Sequence, residues 1–432
     1  MKIALVHDWL TGMRGGERVL EAFLALYPDA DVLALVHVPG SVTAEIESRV
    51  RQVSWLSRLP GIKRYYRTLL PFFPSAARSL DLSGYDLVIS LSHAAAKNVI
   101  VKNKTGLPNA RHVCYCFTPM RYIWDQVESY LGKARFFFWP FISALRRWDV
   151  RGAKRVDNFV AISKFVAARI KLFYGQQATV VYPPAQVHRI MSASSPVVFP
   201  AHRPFIYAGA LVPYKRADLV VAAFNQLGLP LVIVGCGSEE KKLRRMALDN
   251  VRFISSISDR DMVGMLRTCR ALVFPGVEDF GLIPVEAMAC GRPVIANSRG
   301  GVGESVVGAR IGEPVVRSKH TGVFIPRDAN DGTSEVENLV AAVRFFVQNE
   351  ESFSSATCKE RAQMFDERSF ERSWRDFCVS IGIPSRSLGV TAINSSINSS
   401  INSVINSVIN SGTNKKSPNQ KNVRVTQAEF RS

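Results

Sequence analysis

Short apolar runs alternate with amphipathic stretches from the start of the chain. Lys2–His7 has the character of a buried strand, and Gly12-Met-Arg-Gly-Gly16 that of a tight loop. Glu17–Tyr27 then carries Val19, Leu20, Phe23, Leu24 and Tyr27 at helical spacing. Asp31–Val36, Asp86–Leu91, Arg111–Tyr115 and Asn158–Ile162 repeat the strand pattern, and Ser163 is placed to cap a helix over Lys164–Phe173. Apolar strands alternating with helices predict a parallel sheet covered on both faces.

The pattern breaks between 183 and 204, where Pro183-Pro184, Ser192-Ala-Ser-Ser-Pro196, Pro200 and Pro204 interrupt it. A second alternation follows. Strands are expected at Phe205–Ala208, Leu231–Val234, Val251–Ile254, Ala271–Phe274 and Pro293–Ala296. Helices are expected at Arg216–Asn225, Glu239–Leu248, Asp259–Thr268 and Val285–Ala289. The fold class is therefore α/β: two doubly wound domains, residues 1–185 and 205–384, joined by a linker at 186–204. A cleft between the carboxyl ends of the two sets of strands is the expected ligand site. Residues 385–432 differ, since Ile393–Gly412 is five Ile-Asn-Ser-x tetrads followed by a polar, basic end. One apolar residue in four cannot build a core, so a disordered tail is expected. A stacked β-assembly of Asn and Ile is the alternative.

Composition narrows the class. With 47% apolar and 21% charged residues the chain is ordinary for a globular enzyme. Its longest strongly apolar stretch, Phe136–Leu145, is about half of what a membrane-spanning helix needs. Met1 runs directly into the first strand, unlike a signal peptide. The seven cysteines lack metal-ligand spacing, and the close pair Cys114 and Cys116 is expected on one core face. A reducing, cytoplasmic setting is expected. The net charge of +19 is uneven: residues 1–185 hold 25 Lys and Arg against 13 Asp and Glu, whereas 186–384 hold 24 against 22. The first half is thus expected to meet an anionic ligand or surface.

Candidate chemistry lies at strand ends. Gly15 and Gly16 open a helix whose first amides would face an anion, or they meet the needs of a turn. Gly235 and Gly237 repeat that arrangement in the second half. Lys215 and Arg216 are expected to open a helix, where the dipole disfavours cations unless a phosphate shares the site or the end is solvated. His93 follows a strand and so lies at the edge of the first sheet's cleft. Glu278 and Glu286 flank a loop and a helix start. Glu286 is expected in the first turn, where it could accept hydrogen bonds from a vicinal diol, or the pair could be a cap and a surface carboxylate. Neither Asp29-Ala-Asp31 nor Asp259-Arg-Asp261 sits at a strand's carboxyl end, so no catalytic metal is expected.

Together these residues resemble the retaining glycosyltransferases of family 4 (group 1), over about residues 1–380. The resemblance rests on Glu278-Asp-Phe-Gly-Leu-Ile-Pro-Val-Glu286 with Ala289-Cys-Gly-Arg-Pro-Val294, supported by Gly209-Ala-Leu-Val-Pro-Tyr-Lys-Arg216, Gly235-Cys-Gly-Ser-Glu239 and Gly15-Gly16. The wording Leu-Val-Pro-Tyr-Lys-Arg, with Thr118-Pro-Met-Arg-Tyr122, is similar to the branch building bacterial surface polysaccharides, often mannosyltransferases. The resemblance implies the GT-B fold, two Rossmann-like domains facing a cleft, with the acceptor on the first and a nucleotide sugar on the second. It implies that Glu286 binds the ribose and Glu278 the hydroxyls of the transferred sugar. Lys215 would bind the diphosphate, helped by amides at Gly281, Leu282 and Ile283 and at Gly15 and Gly16, with His93 near the anomeric carbon. No cofactor is implied beyond the donor, with GDP-mannose favoured over a UDP-sugar.

Two departures stand out: Ala210 where many relatives carry Arg, so that a second phosphate cation is either missing or supplied by Arg216, and Phe117 where His is frequent. There is also extra length between Gly301 and Thr321. Arg58–Pro74 and Lys133–Arg147 mix basic and aromatic residues, as suits a protein resting on an anionic membrane surface, or they are helices simply packed on the sheet. A glycan or lipid-linked acceptor at the inner membrane face is the implied partner, and nucleic acid is not, because no recognised motif supports it. A degenerate transferase acting as a binding protein is the alternative, and an epimerase or phosphorylase on the same fold a lesser one.

Overall fold

The computed structural model describes residues 1–101, 110–125, 127, 135–193, 203–326 and 334–384, with backbone alone at 135–137. The expected tail at 385–432, linker residues 194–202, and the start of the basic–aromatic stretch 133–147 lie outside the described residues.

The first sheet comprises β1 (Ile3–Leu10), β2 (Asp31–His37), β3 (Val50–Val53), β4 (Leu87–Ser92), β5 (Arg111–Cys116), β6 (Asn158–Ala161) and β7 (Ala178–Val180). Its order is β3-β2-β1-β4-β5-β6-β7, and every pairing is parallel. All residues of β1 and β4 are buried, as helices on both faces require. Cys114 and Cys116 are both buried in this core.

The second sheet comprises β8 (Phe205–Ala208), β9 (Leu231–Val234), β10 (Val251–Ile254), β11 (Leu272–Phe274), β12 (Val294–Asn297), β13 (Gly308–Ala309) and β14 (Gly322–Ile325), in the order β10-β9-β8-β11-β12-β14-β13. The extra length after Gly301 holds β13, which pairs with β14 at the sheet edge. Strand order reverses between β1 and β4 in one sheet and between β8 and β11 in the other. The crevices at those reversals lie beyond the strand carboxyl ends and are where a doubly wound fold admits a ligand.

Two features depart from the sequence reading of the chain's course. The linker region begins with a helix, Val187–Ser192, and Ala185 N–H donates to Phe365 O at 2.8 Å. The helix Glu367–Ser380, grouped by sequence with the second domain, packs on the first. Trp374 Nε1 donates to Tyr27 Oη at 2.8 Å, and its ring meets Phe23 edge-on at 4.7 Å. The apolar face of that helix (Phe370, Trp374, Phe377, Cys378) is buried there, so the two domains share a clasp besides their linker.

Candidate functional site

The first half of the site is built where β1 and β4 end. Asp8, wholly buried, accepts four consecutive backbone N–H groups, those of His93 (2.6 Å), Ala94 (2.9 Å), Ala95 (2.5 Å) and Ala96 (2.7 Å). The same carboxylate lies 3.2 Å from His93 Nδ1. A proton on Nδ1 would face that carboxylate and leave Nε2 as the acceptor nitrogen. Burial is the largest influence on the His93 ring and lowers its pKa, with Arg67 and Arg14 adding to the effect and Asp8 and Asp279 opposing it. The ring stands edge-on to Trp9 at 4.3 Å. His7, buried next to it, is lowered to about 4 by burial and by its neighbour His93. Its Nδ1 bonds Trp9 O at 3.0 Å.

Gly15 and Gly16 begin the helix Gly15–Leu26. A Cβ on Gly15 would come within 3.1 Å of Leu282 Cδ1, and one on Gly16 within 3.3 Å of His7 Nε2. The glycine loop of the first domain therefore faces the helix Leu282–Ala289 of the second, and larger residues would hold the two apart. Phe117 forms part of the floor, with ring centroids 6.1 Å from His93 and 5.7 Å from Tyr115.

In the second half, Lys215 closes the turn Pro213–Lys215, and its Nζ lies 2.6 Å from Glu278 Oε1. Burial lowers the lysine pKa, but the Glu278 carboxylate outweighs it and the net shift is upward. The sequence-expected phosphate cation and sugar carboxylate are thus paired with each other. Arg216 behaves differently. It does not open a helix, because its backbone is left-handed at φ 58°, and the helix Ala217–Leu227 starts after it. Its guanidinium grips Glu335 through two bonds of 2.8 and 2.7 Å. Since Ala210 carries no charge, Lys215 is the cation that this turn presents to the cleft.

Gly235 and Gly237 are required by packing. A Cβ at Gly235 would fall 1.9 Å from Gly209 O, and one at Gly237 2.2 Å from Leu211 O. The loops after β8 and β9 interlock there, with Gly209 N–H on Val234 O and Leu211 N–H on Cys236 O. These two glycines brace the loop that carries Lys215.

Gly281, at φ 84°, turns the chain into the helix Leu282–Ala289. Glu286 is the fifth residue of that helix, beyond the first turn in which the sequence placed it. The helix terminus thus contributes little to its charge. Arg18 supplies the compensation from the first domain, with Nη1 3.5 Å from Glu286 Oε1 and Nη2 2.8 Å from Asp259 Oδ2. Burial raises the Glu286 pKa against the pull of Arg18, and Asp259 adds to the rise. Ser258 caps the helix Asp259–Thr268. Beside Glu286 opens a cavity of about 120 Å³ lined by Arg18, Arg189, Ile190, Asp259 and Met262 among others.

The sequence reading passed over Asp8 and Arg18, and weighed Asp259 only as a metal ligand. Asp8 was within reach of the rule that found His93, since both lie at strand carboxyl ends of one sheet. Arg18 and Asp259 are 241 residues apart and carry no shared signal.

Comparison with known proteins gives the family and the fold. The model of the Glycosyltransferase Family 4 domain matches residues 13–189, and that of Glycosyl transferases group 1 matches residues 197–363. A GDP-mannose-dependent monoacylated alpha-(1-6)-phosphatidylinositol monomannoside mannosyltransferase of Corynebacterium glutamicum is 30% identical, over 40% of this chain and 52% of its own. The O-antigen chain mannosyltransferase C of Escherichia coli is 32% identical, over 43% of this chain and 50% of its own. The chain spans about half the length of the curated relatives it matches. Anabaena HepE, solved in complex with UDP, superposes with a TM-score of 0.60 at 17% identity, covering 88% of this chain and all of its own. At that identity the likeness establishes the two-domain GT-B fold.

Proposed function

From the premise that the chain belongs to the group 1 glycosyltransferases of family 4, we propose that it moves a hexose from a nucleotide sugar to a glycan or lipid-linked acceptor, with retention of configuration. Mannose carried on GDP is the favoured donor, in keeping with the two mannosyltransferase relatives. The observation that carries the reading is a pair of partly buried cation–carboxylate contacts, Lys215 with Glu278 and Arg18 with Glu286, whose carboxylates are eight residues apart. Each carboxylate holds a positively charged partner that a polyol can replace, and each cation is then released toward a phosphate.

Breaking the bond between sugar and diphosphate builds negative charge on the leaving oxygen and positive charge on the sugar. Lys215, turning from Glu278 to the diphosphate, stabilises the first, together with amides at Gly15, Gly16, Leu282 and Ile283. Glu278, once released, accepts from the hydroxyls of the transferred sugar, while Glu286 accepts from the ribose. His93 is neutral, and its Nε2 accepts from a sugar hydroxyl near the reacting carbon. Retention is assigned to attack on the same face as departure, assisted by the leaving phosphate.

The acceptor is assigned to the first domain. Phe72, Phe138 and Trp139 are each about half exposed, and Lys63, Arg64 and Arg147 are exposed on the same chain segments. Exposed aromatics beside cations suit an anionic lipid surface, and we assign the protein to the periphery of the inner membrane face. Among the described residues no helix is long and apolar enough to cross a membrane.

One observation favours a second reading, nucleotide binding with little turnover: Ala210 is uncharged and Arg216 is committed to Glu335. The test is thermal shift with GDP, UDP, ADP and TDP, run beside Glu286→Ala, followed by release of GDP from GDP-mannose. Stabilisation by one nucleotide, lost in the variant, together with turnover supports transfer. Stabilisation without turnover on any acceptor supports binding alone. No stabilisation by any nucleotide refutes both.

A further inference from the structure

Asp279, between Glu278 and the left-handed turn at Gly281, belongs by chain to the second domain but is held almost wholly by the first. Its Oδ2 takes Arg121 Nη2 at 2.6 Å and its Oδ1 takes Arg169 Nη1 at 2.7 Å. Its backbone O accepts Ser163 Oγ at 2.5 Å, the same hydroxyl that caps the helix Lys164–Tyr174. The two guanidiniums are themselves fixed. Arg169 also bonds Thr118 Oγ1 at 2.5 Å and Asp125 Oδ2 at 2.6 Å, and Arg121 lies 5.7 Å from the ring centroid of Tyr214, the neighbour of Lys215. Arg169, Asp279 and Arg121 are all largely buried, with side chains 8, 14 and 17% exposed.

The geometry points to Asp279 as a positioning residue that aligns Glu278 with Lys215 only while the first domain is docked. Rotating residue 279 moves its neighbour 278, and three of its polar atoms are set by the opposite domain. On its own side the loop is braced by Lys215 at Glu278 and by Gly301, whose N–H donates to Glu278 O at 2.9 Å and whose Cβ would fall 2.2 Å from Asp279 O. Domain docking does not depend on Asp279 alone. Glu304 accepts from Lys164 N–H at 2.8 Å and Phe165 N–H at 2.9 Å, a second contact from the same domain onto the same helix terminus. Loss of Asp279 therefore frees the loop without separating the domains. Charge is essential to the device: an amide in its place would set an NH2 group against a guanidinium and leave Arg121 without a carboxylate bonded to it, while Arg169 keeps only Asp125.

The inference rests on the donor-site reading for Glu278 and Lys215, and its test is independent of activity. Hydrogen exchange of the full chain is followed by mass spectrometry in wild type, Asp279→Asn, Asp279→Glu and Arg121→Gln. The expected result is exchange of the 276–284 amides raised about tenfold or more in Asp279→Asn and in Arg121→Gln, with β9 and β12 as protected as in wild type. Asp279→Glu, which keeps the charge, is expected to recover most of that protection. Unchanged exchange at 276–284 in both Asp279→Asn and Arg121→Gln overturns the inference, as does a rise spread equally over β9 and β12, or an Asp279→Glu variant as labile as Asp279→Asn. Titration of the wild type with GDP and UDP decides the donor-site reading separately.

Discussion

The carboxylate of Asp8 accepts the backbone N–H of His93 at 2.6 Å and lies 3.2 Å from the ring Nδ1 of the same residue. One side chain thereby sets the path of the loop after β4 and places a carboxylate beside the ring of the histidine that the loop carries.

Replacing Asp8 with Asn keeps one acceptor oxygen and turns an NH2 group toward amides that need an acceptor. A destabilisation of about 2–4 kcal/mol is expected, read as a lower urea midpoint at unchanged slope. Donor turnover should fall further than that loss of stability explains, because His93 loses its orientation. A variant with wild-type turnover would remove His93 from the mechanism.

Lys215→Ala deletes the cation nearest the departing diphosphate. Turnover of the nucleotide sugar should drop by about 10² to 10³ with the fold intact, measured as nucleotide released per enzyme. Lys215→Arg should recover part of it, since the charge is kept but the compact ammonium geometry is not.

Gly235→Ala tests the interlocked loops. Its Cβ would meet Gly209 O at 1.9 Å, and its φ of 143° is unfavourable for alanine. A loss of about 1–3 kcal/mol is expected in denaturant unfolding. Nucleotide affinity should fall with it, because the displaced loop carries Lys215.

Burial pushes Glu17 up to about 7 against the pull of Arg14, so the folded state binds its proton more tightly than the unfolded chain does. The sign follows from linkage. Native protein holds more protons than unfolded protein between the ordinary carboxylate value and about 7, so this group's contribution to stability declines as pH rises through that window. Glu17→Gln removes the titration, and its stability relative to wild type should rise across that window by up to about 3 kcal/mol. His7, lowered to about 4, acts in the opposite direction: its contribution is full above its ordinary value and is lost as pH falls toward 4. A flat difference between Glu17→Gln and wild type from pH 4 to 8 would show that Glu17 is not buried as described.

Much of this protein was legible in its sequence. Phe205–Ala208, Leu231–Val234, Val251–Ile254 and the helix Asp259–Thr268 fall where the apolar runs and their Pro, Gly and Ser boundaries placed them. Buried parallel strands are apolar throughout, so they stand out against amphipathic helices. The edge strands β3 and β7 were missed because they are short and only partly buried, which removes the contrast that marks a central strand. His93, Lys215 and Glu278 were singled out as candidates because they follow a strand or a turn, positions that local pattern exposes; Glu286 was singled out as a first-turn residue but lies further into its helix. Tertiary structure alone decided that Lys215 pairs with Glu278, that Arg216 turns to Glu335, and that Arg18 reaches Glu286 and Asp259. It also decided that Asp279 is held by Arg121 and Arg169, 158 and 110 residues away in the chain. The physical reason is range. Periodicity and capping are written within a few residues of the element they shape, whereas the partner of a buried charge is chosen by the docking of whole domains, which no local spacing records.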